Sequence, residues 1–419
     1  MADNTARAVL FAVDAQVDDI SMEDSLAELA QLAGSAGAEV VGQLVQRRNG
    51  ADPHSYLGEG KLDELAEYIG ETAADVAICD DELTATQLGL LTDRLECEVI
   101  DRTQLILAIF ADRAHSREGK VQVELAQLRY LLPRLVGQGT EYSRLGGGIG
   151  TRGPGETKLE TDRRHIRRRI AELKRELTKI RRRRELQREA RRDANTPVVA
   201  LVGYTNAGKS TLLNRLTGAD VLVEDLLFAT LDPTIRGVEL PQGGTALLVD
   251  TVGFIRKLPH ALVAAFRATL EEVQHADILV HVADSAHPLM EEQLDAVMQV
   301  LGELGIYDKP IVTAFNKADS PESAITEGLL ARFSPACAIS ALTGAGCQEL
   351  LRLVGEVLPD RHVMGVYKVP YPDGHVIAWL HEQGRVVHEA YKSDSVELQV
   401  ELRASMAERV RRYLSDGTV

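Results

Sequence analysis

The chain has 419 residues, 45% of them hydrophobic, and a formal net charge of −16. This length and apolar content predict two or three domains with substantial cores, and no apolar run is long enough to span a membrane. The four cysteines form no C-x-x-C pair, so we expect free thiols, no secretory leader and a cytoplasmic protein that is a monomer when free.

Residues 1–115 alternate between apolar, β-branched runs and helical patterns. This alternation is typical of a parallel sheet with helical crossovers, so we predict an N-terminal α/β domain. A Gly-Lys turn at 56–61 lacks the full spacing of a nucleotide loop, which favours a plain helix start. The predicted strands are 8–13, 40–45, 75–79 and 97–100, and the predicted helices are 22–33, 61–69 and 86–95.

Residues 116–194 predict an antiparallel helical hairpin with a glycine-rich loop at 137–157. Residues 121–135 carry one apolar helical stripe, and residues 166–180 carry a second with alternating steps of four and three. From Arg144 to Arg192, eighteen basic and seven acidic side chains give a net charge of +11, which leaves −27 for the rest of the chain.

This concentration of positive charge favours contact with RNA, because polyanion binding depends on Lys and Arg. A solvated helix face beside a flexible linker is the alternative interpretation of the same pattern. The side chains expected to contact RNA are Arg144, Arg152, Lys158, Arg181, Arg182, Arg183 and Arg184.

Residues 195–362 carry the motifs of a Ras-like P-loop GTPase domain. A G-x-x-x-x-G-K-[ST] loop follows an apolar strand at 198–202 and opens an apolar helix, so that backbone N–H groups and a lysine can cradle phosphates. We expect Lys209 to reach the β- and γ-phosphates and Ser210 to bind Mg²⁺. The loop comprises Gly203, Tyr204, Thr205, Asn206, Ala207, Gly208, Lys209, Ser210 and Thr211.

A D-x-x-G motif follows the next predicted strand. Asp250 is placed to help hold Mg²⁺ through a water, and the Gly253 N–H can meet the γ-phosphate. Phe254 stands where many GTPases have a glutamine that orients the attacking water, so we expect slow hydrolysis by the chain alone and stimulation by a macromolecular partner. The expected nucleotide contacts in this motif are Asp250, Thr251, Val252 and Gly253.

Two later segments select the base. The Asp319 carboxylate can accept hydrogen bonds from N1–H and the 2-amino group of guanine, donors that adenine lacks. A downstream Ser-Ala-Leu turn can present backbone N–H to guanine O6, so GTP and GDP are the expected ligands. The segments are Asn316, Lys317, Ala318 and Asp319, and Ser340, Ala341 and Leu342.

Residues 363–419 predict a small C-terminal α+β domain. The pattern indicates a helix near 376–382, strands at 386–391 and 396–402, and a final helix. The predicted fold class is therefore α/β, with a P-loop GTPase domain, an N-terminal α/β domain, a helical hairpin and this small domain.

The combined motifs resemble the HflX family of GTPases over nearly the whole chain. The residues that carry the resemblance are 56–61, V-E-L-A-Q-L at 123–128, G-E-T-K-L-E at 155–160, the phosphate loop, and D-T-V-G-F-I at 250–255. A further segment resembles the first switch of Obg-like GTPases, which implies that Thr230 coordinates Mg²⁺ when GTP is bound. Its expected nucleotide-binding residues are Phe228, Ala229, Thr230, Leu231 and Asp232.

The resemblance implies a GTPase that associates with the large (50S) ribosomal subunit and its rRNA. Family members split or rescue ribosomes under stress, and ribosome-stimulated hydrolysis would fit the apolar Phe254. We expect Lys209, Thr230 and Gly253 to be catalytic, because each would contact the γ-phosphate or its metal.

Two other interpretations stay open from the residues. The chain could be a regulatory GTPase acting on a protein effector, with the basic hairpin serving as a dimer coiled coil. It could also be an RNA-remodelling NTPase that uses its N-terminal domain.

Overall fold

The structure is a computed structural model that describes residues 5–15, 21–135, 154–193, 196–218, 226–257, 271–358 and 362–415. The described residues form two compact units. The first lies within Met1–Arg183, Glu224–Asp232 and Ile255–Thr269, and the second within Arg184–Val223, Pro233–Phe254 and Leu270–Val419. No helix in the described ranges has both the length and the apolar character to cross a membrane.

A four-stranded parallel sheet in the order β2-β1-β3-β4 forms the core of the first unit. Residues 8–13 of the central strand β1 are all buried, because a strand covered on both faces needs a continuous apolar run. All seven predicted elements are present. The bounds are β1 Ala6–Asp14, α1 Met22–Ser35, β2 Ala38–Arg47, α2 Glu59–Thr72, β3 Val76–Cys79, α3 Ala85–Leu95 and β4 Glu98–Asp101.

One helix of this unit, α4 (Arg102–Arg113), was missed by the sequence analysis. Asp101 is both the last residue of β4 and the N-cap of α4, where its carboxylate accepts from the Gln104 N–H at 2.8 Å. The strand therefore passes directly into the helix, and the N-cap signal that Asp101 carries was overlooked because this residue also ends a strand.

The predicted helical hairpin consists of α5 (Arg117–Arg134) and α6 (Pro154–Asp193). Val121 and Leu125 of α5 pack in one apolar cluster with Ile170, Leu173 and Leu177 of α6, which confirms the predicted seam. The helices run antiparallel, since Arg117 pairs with Glu176 and Glu124 pairs with Arg169.

The loop of the hairpin is shorter than predicted. Helix α6 begins at Pro154, so residues 154–157, which we had assigned to the glycine-rich loop, are helical. Proline suits a first helical position because its ring fixes φ and the missing N–H is not needed there.

The second unit contains a six-stranded sheet in the order β10-β9-β8-β5-β7-β6, in which only β6 runs antiparallel to its neighbour. Leu212, Leu350 and Val354 anchor its helices on the buried strands. The bounds are β5 Val198–Gly203, α7 Lys209–Thr217, β6 Thr234–Glu239, β7 Thr245–Asp250, β8 Ile278–Asp284, α8 Met290–Glu303, β9 Ile311–Asn316, α9 Glu327–Arg332, β10 Ala336–Ala338 and α10 Cys347–Val357.

A smaller antiparallel sheet, in the order β11-β13-β12, follows near the C-terminus. The sequence analysis missed β11, and the predicted final helix is one α-helical turn followed by a 3-10 helix at Glu408–Tyr413. The domain boundaries remain predictions. The bounds are β11 His362–Pro370, α11 Gly374–Gln383, β12 Arg385–Tyr391, β13 Ser395–Arg403 and α12 Ala404–Ala407.

A buried ion-pair network holds the first unit together. The Arg102 guanidinium, 2% exposed, donates to Asp80 at 2.8 Å and also to Glu28. Lys257 donates to the same Asp80 at 2.6 Å and to Asp81 at 3.1 Å. Burial raises the pKa of Asp80 despite the opposing charge of Lys257, so the network stabilises the fold only while its hydrogen bonds are complete.

We predict that Arg102→Ala lowers the free energy of unfolding by about 3–5 kcal/mol, because the buried Asp80 loses a charged partner. Arg94→Ala is the matched control, since Arg94 pairs with Asp63 in an exposed bridge and should cost less than about 1 kcal/mol. Urea unfolding of the full chain measures both. Equal midpoints for the two variants would contradict the prediction.

Candidate nucleotide-binding site

The phosphate loop connects β5 to α7. Gly203 and Gly208 have φ values of 155° and 90°, which side-chain-bearing residues rarely adopt. A Cβ atom on Gly208 would lie 2.2 Å from the Asn316 Nδ2 atom, so no larger residue fits there. The loop therefore has the tight curl that its sequence predicted.

Lys209 is buried at the start of α7. Its Nζ atom donates to the carbonyl oxygens of Gly203 at 3.1 Å and Tyr204 at 2.7 Å. Burial lowers the pKa of Lys209 to about 8, although the charge of Asp250 acts in the opposite direction. The pKa of buried His281 falls to about 4, first through burial and then through the charge of Lys209, so this imidazole is neutral at pH 7.

Ser210 and Asp250 meet beside the lysine. The Ser210 hydroxyl donates to the Asp250 Oδ2 atom at 2.6 Å, and Asp250 is fully buried. A hydroxyl and a carboxylate are hard oxygen ligands of the kind that Mg²⁺ takes together with phosphate oxygens and waters. The described residues hold no cluster of three or more His, Cys, Asp or Glu side chains that could bind a metal ion.

The D-x-x-G motif lies directly against the phosphate loop. The Thr205 N–H donates to the Phe254 carbonyl at 2.8 Å, and the Phe254 N–H donates to the Gly203 carbonyl at 3.1 Å. A Cβ atom on Gly253 would approach the Thr205 Cα atom to 2.8 Å, so glycine is required for this contact. The Phe254 side chain is buried and offers no polar atom to a water molecule.

The neighbouring residues Thr251 and Val252 are also buried. The Thr251 hydroxyl donates to the Leu201 carbonyl at 2.6 Å, so its side chain fixes the end of β7 to β5. The predicted nucleotide contact at these two positions is therefore one that only their backbone can make.

The base-selecting segments meet the phosphate loop through Asn316. Its Nδ2 atom donates to the Ala207 carbonyl at 2.8 Å, and its Oδ1 atom accepts from the Ala341 N–H at 2.9 Å. Asp319 is exposed two residues beyond Lys317, whose ammonium pairs with Asp284 at 2.6 Å. Asn316 thus joins the phosphate loop to the turn at 340–342 within the second unit.

The remaining residues of these segments complete the turn. The Ala318 N–H donates to the Ile339 carbonyl at 3.0 Å, and the Ser340 hydroxyl accepts from the Thr343 N–H at 3.0 Å. Leu342 is 69% exposed. The backbone of the turn is therefore ordered by its own hydrogen bonds, while the Leu342 side chain makes little contact.

The first-switch segment belongs to the first unit, and the nucleotide contacts of its residues stay predictions. The Asp232 carboxylate accepts from the N–H groups of His115 at 3.1 Å and Ser116 at 2.7 Å, and from the Ser116 hydroxyl. Free N–H groups at the start of α5 attract this carboxylate. Phe228 is buried edge-on against Phe110, with ring centroids 4.6 Å apart.

The other residues of this segment differ in burial. Leu231 is buried, whereas Ala229 and Thr230 are half-buried. Thr230 therefore keeps a partly accessible position, and its Mg²⁺ role stays a prediction.

In comparison with known proteins, three family models together match most of this chain. Residues 23–111, 113–191 and 198–317 match family models described as GTP-binding GTPase N-terminal, GTP-binding GTPase Middle Region and 50S ribosome-binding GTPase. The GTPase HflX of Caldanaerobacter subterraneus is 47% identical over 414 residues, covering 99% of this chain and 95% of that relative. This chain belongs to the HflX family of GTPases.

A second curated relative agrees with this assignment. The GTPase HflX of Escherichia coli is 43% identical over 396 residues, covering 92% of this chain and 91% of its own length. A crystal structure of a GTP-binding protein from Sulfolobus solfataricus in complex with GDP is 26% identical, with a TM-score of 0.46, covering 84% of this chain and 98% of that one. The HflX-family chain is thus a GTPase with a 50S ribosome-binding GTPase domain, as its motifs predicted.

The basic residues of this HflX-family chain are only partly described. Arg144 and Arg152 lie outside the described residues, as does the side chain of Lys158. Arg182 and Arg183 are exposed on α6, whereas Arg181 is half-buried. Arg184 is also half-buried, and its Nη1 atom lies 4.0 Å from the Glu272 Oε1 atom. Its charge is therefore less available to RNA than the sequence suggested.

Sequence reasoning also missed one residue beside this site. Arg215 on α7 donates to carbonyl oxygens of the turn that contains Ala341 and Leu342. An arginine on an ordinary helix carries no local signal for such a contact, so only the tertiary structure could reveal it.

We predict that Asn316→Ala weakens GDP binding by about 10- to 100-fold, because two buried hydrogen bonds worth about 1–3 kcal/mol together are lost. Isothermal titration calorimetry measures the dissociation constant. Glu322→Ala, an exposed change six residues further on, serves as the control and should leave affinity unchanged. Equal affinities for the two variants would rule out a bridging role for Asn316.

Proposed function

We propose that this chain binds GTP with Mg²⁺ and hydrolyses it on the 50S ribosomal subunit, where it splits or rescues ribosomes under stress. It acts in the cytoplasm and is a monomer when free. The observation that carries the nucleotide part is the Asn316 bridge, which brings the phosphate loop and the base-selecting turn together. The match of residues 198–317 to a 50S ribosome-binding GTPase model supports the ribosomal part.

In this proposal, the phosphate chain lies along the N-terminus of α7, where backbone N–H groups and the helix dipole favour negative charge. Lys209 exchanges its present carbonyl partners for the β- and γ-phosphate oxygens, which gives a buried ammonium anionic partners. The Gly253 N–H donates to the γ-phosphate, which its close packing on Thr205 supports.

Ser210, Asp250 and Thr230 would hold Mg²⁺, with Asp250 acting through a water molecule. When bound, the ion neutralises charge on the phosphate oxygens during transfer to water. The hydrogen bond between Ser210 and Asp250 at 2.6 Å supports this assignment, because it places the two oxygen ligands next to each other.

Guanine is read by Asp319 and by the backbone of the turn at 340–342. The exposed carboxylate of Asp319 accepts from N1–H and the 2-amino group, and a turn N–H donates to O6. Lys317 lies beside the base, and its pairing with Asp284 holds the stem in place.

Hydrolysis by the chain alone is slow in this proposal, because buried Phe254 cannot orient a water molecule. The 50S subunit would complete the site and raise the turnover number.

We predict that isolated 50S subunits raise the GTP turnover of the purified chain by at least about tenfold, a barrier change of about 1.4 kcal/mol. Phosphate release under multiple turnover measures this effect. Lys209→Ala, which removes the phosphate-binding ammonium, should abolish turnover with and without subunits. Identical rates with and without 50S subunits would contradict ribosome stimulation.

Ribosomal RNA contact is assigned to the exposed basic face of α6. Ile170, Leu173 and Leu177 bury one side of this helix, which leaves arginines such as Arg182 and Arg183 on the opposite side. The excess positive charge here, within an otherwise acidic chain, supports an anionic partner.

We predict that the double variant Arg182→Gln/Arg183→Gln weakens co-sedimentation with 50S subunits, in the presence of a non-hydrolysable GTP analogue. It should also reduce the slope of log affinity against log salt by roughly one unit per lost phosphate contact. Arg352→Gln, a change to an exposed arginine on α10, is the control. An unchanged affinity and slope would favour the alternative in which the GTPase acts on a protein effector.

A further inference from the structure

Arg215 connects the phosphate-binding helix to the base-reading turn. It lies on α7, six residues after Lys209, and its Nε atom donates to the Ala341 carbonyl at 3.1 Å. Its Nη2 atom donates to the Leu342 carbonyl. Gly344 packs against the same side chain, since a Cβ atom there would lie 3.5 Å from the Arg215 Cδ atom.

Other hydrogen bonds fix the turn from its remaining sides. The Ala341 N–H donates to Asn316 at 2.9 Å, and the Thr343 N–H donates to the Ser340 hydroxyl at 3.0 Å. The Ser340 carbonyl accepts from the Gly344 N–H at 2.8 Å. Within the described ranges, the Leu342 N–H donates to no protein atom, so it is the turn donor left for a ligand.

The geometry of a single peptide bond links this donor to Arg215. The Ala341 carbonyl and the Leu342 N–H belong to the same planar trans peptide, in which they point in opposite directions. Holding the Ala341 carbonyl toward Arg215 therefore directs the Leu342 N–H away from the guanidinium. A charged donor on the carbonyl also polarises the peptide, which makes its N–H a stronger hydrogen-bond donor.

We propose that Arg215 is a positioning residue for base selection: it orients and polarises the Leu342 N–H toward the 6-position of the purine. The ligands that benefit are nucleotides with a 6-keto oxygen. A 6-amino group presents donors to this N–H, and a 6-thio group is a poorer acceptor. This inference rests on the proposed assignment of the turn at 340–342 to guanine O6.

The test uses three nucleotides that together distinguish the contribution of the 6-position from that of the other base groups. GDP and inosine diphosphate both carry a 6-keto oxygen, although inosine lacks the 2-amino group that Asp319 would bind. The 6-thio analogue of GDP keeps N1–H and the 2-amino group but changes the acceptor. Calorimetry on the full chain with Mg²⁺ gives the dissociation constant for each.

Arg215→Met removes every donor while keeping an unbranched apolar stem. We expect this variant to weaken the binding of GDP and of inosine diphosphate by the same factor, about tenfold. It should weaken the binding of 6-thio-GDP by less than about threefold. The preference for GDP over 6-thio-GDP therefore falls. Arg215→Lys keeps a charged donor and should recover part of that preference.

Arg332→Met is the matched control, because Arg332 is an exposed helical arginine whose partner is the surface residue Glu291. It should leave all three affinities unchanged. Thermal unfolding of each variant without nucleotide shows whether the fold is intact. A general loosening of the turn would weaken the binding of all three nucleotides equally.

An equal loss for GDP and 6-thio-GDP in Arg215→Met would overturn the inference, as would unchanged affinity for GDP. Either result leaves the proposed function standing if the original chain still binds GDP much more tightly than ADP. Failure of the original chain to bind GDP at all would instead contradict the proposed function itself.

Discussion

The candidate site depends on the carboxamide of Asn316. A carboxamide can donate and accept at once, and this one uses both abilities to join Ala207 in the phosphate loop to Ala341 in the base-reading turn. Because Asn316 is 2% exposed, water does not compete for these bonds. The same approach demands glycine at 208, where a Cβ atom would collide with the amide nitrogen.

Charge burial is the second constraint on this site. Lys209, Asp250 and His281 are all buried, and their pKa values or partners reflect the cost of that burial. A lysine with a lowered pKa and only carbonyl partners gains strongly from an anionic ligand. In the proposed function, a bound phosphate chain would give the buried ammonium of Lys209 an anionic partner.

The segments next to the D-x-x-G and first-switch motifs make their side-chain contacts in the first unit. Lys257 joins the buried carboxylate of Asp80, and burial acts to lower its pKa while Asp80 and Asp81 hold it above the ordinary value. Asp232 covers the free N–H groups at the start of α5. These contacts satisfy the charged groups of Lys257 and Asp232 within the first unit.

The sequence by itself determined the motifs whose signal is local. Loop spacing, strand-to-helix order and the four-and-three periodicity of α6 all depend on neighbours within a few residues, so the P-loop and the hairpin seam were predictable. The tertiary structure alone decided which distant groups meet. The partners of Asp232 and Arg215 lie 116 and 126 residues away. Long-range hydrogen bonds form only after the chain has folded, and no local pattern encodes them.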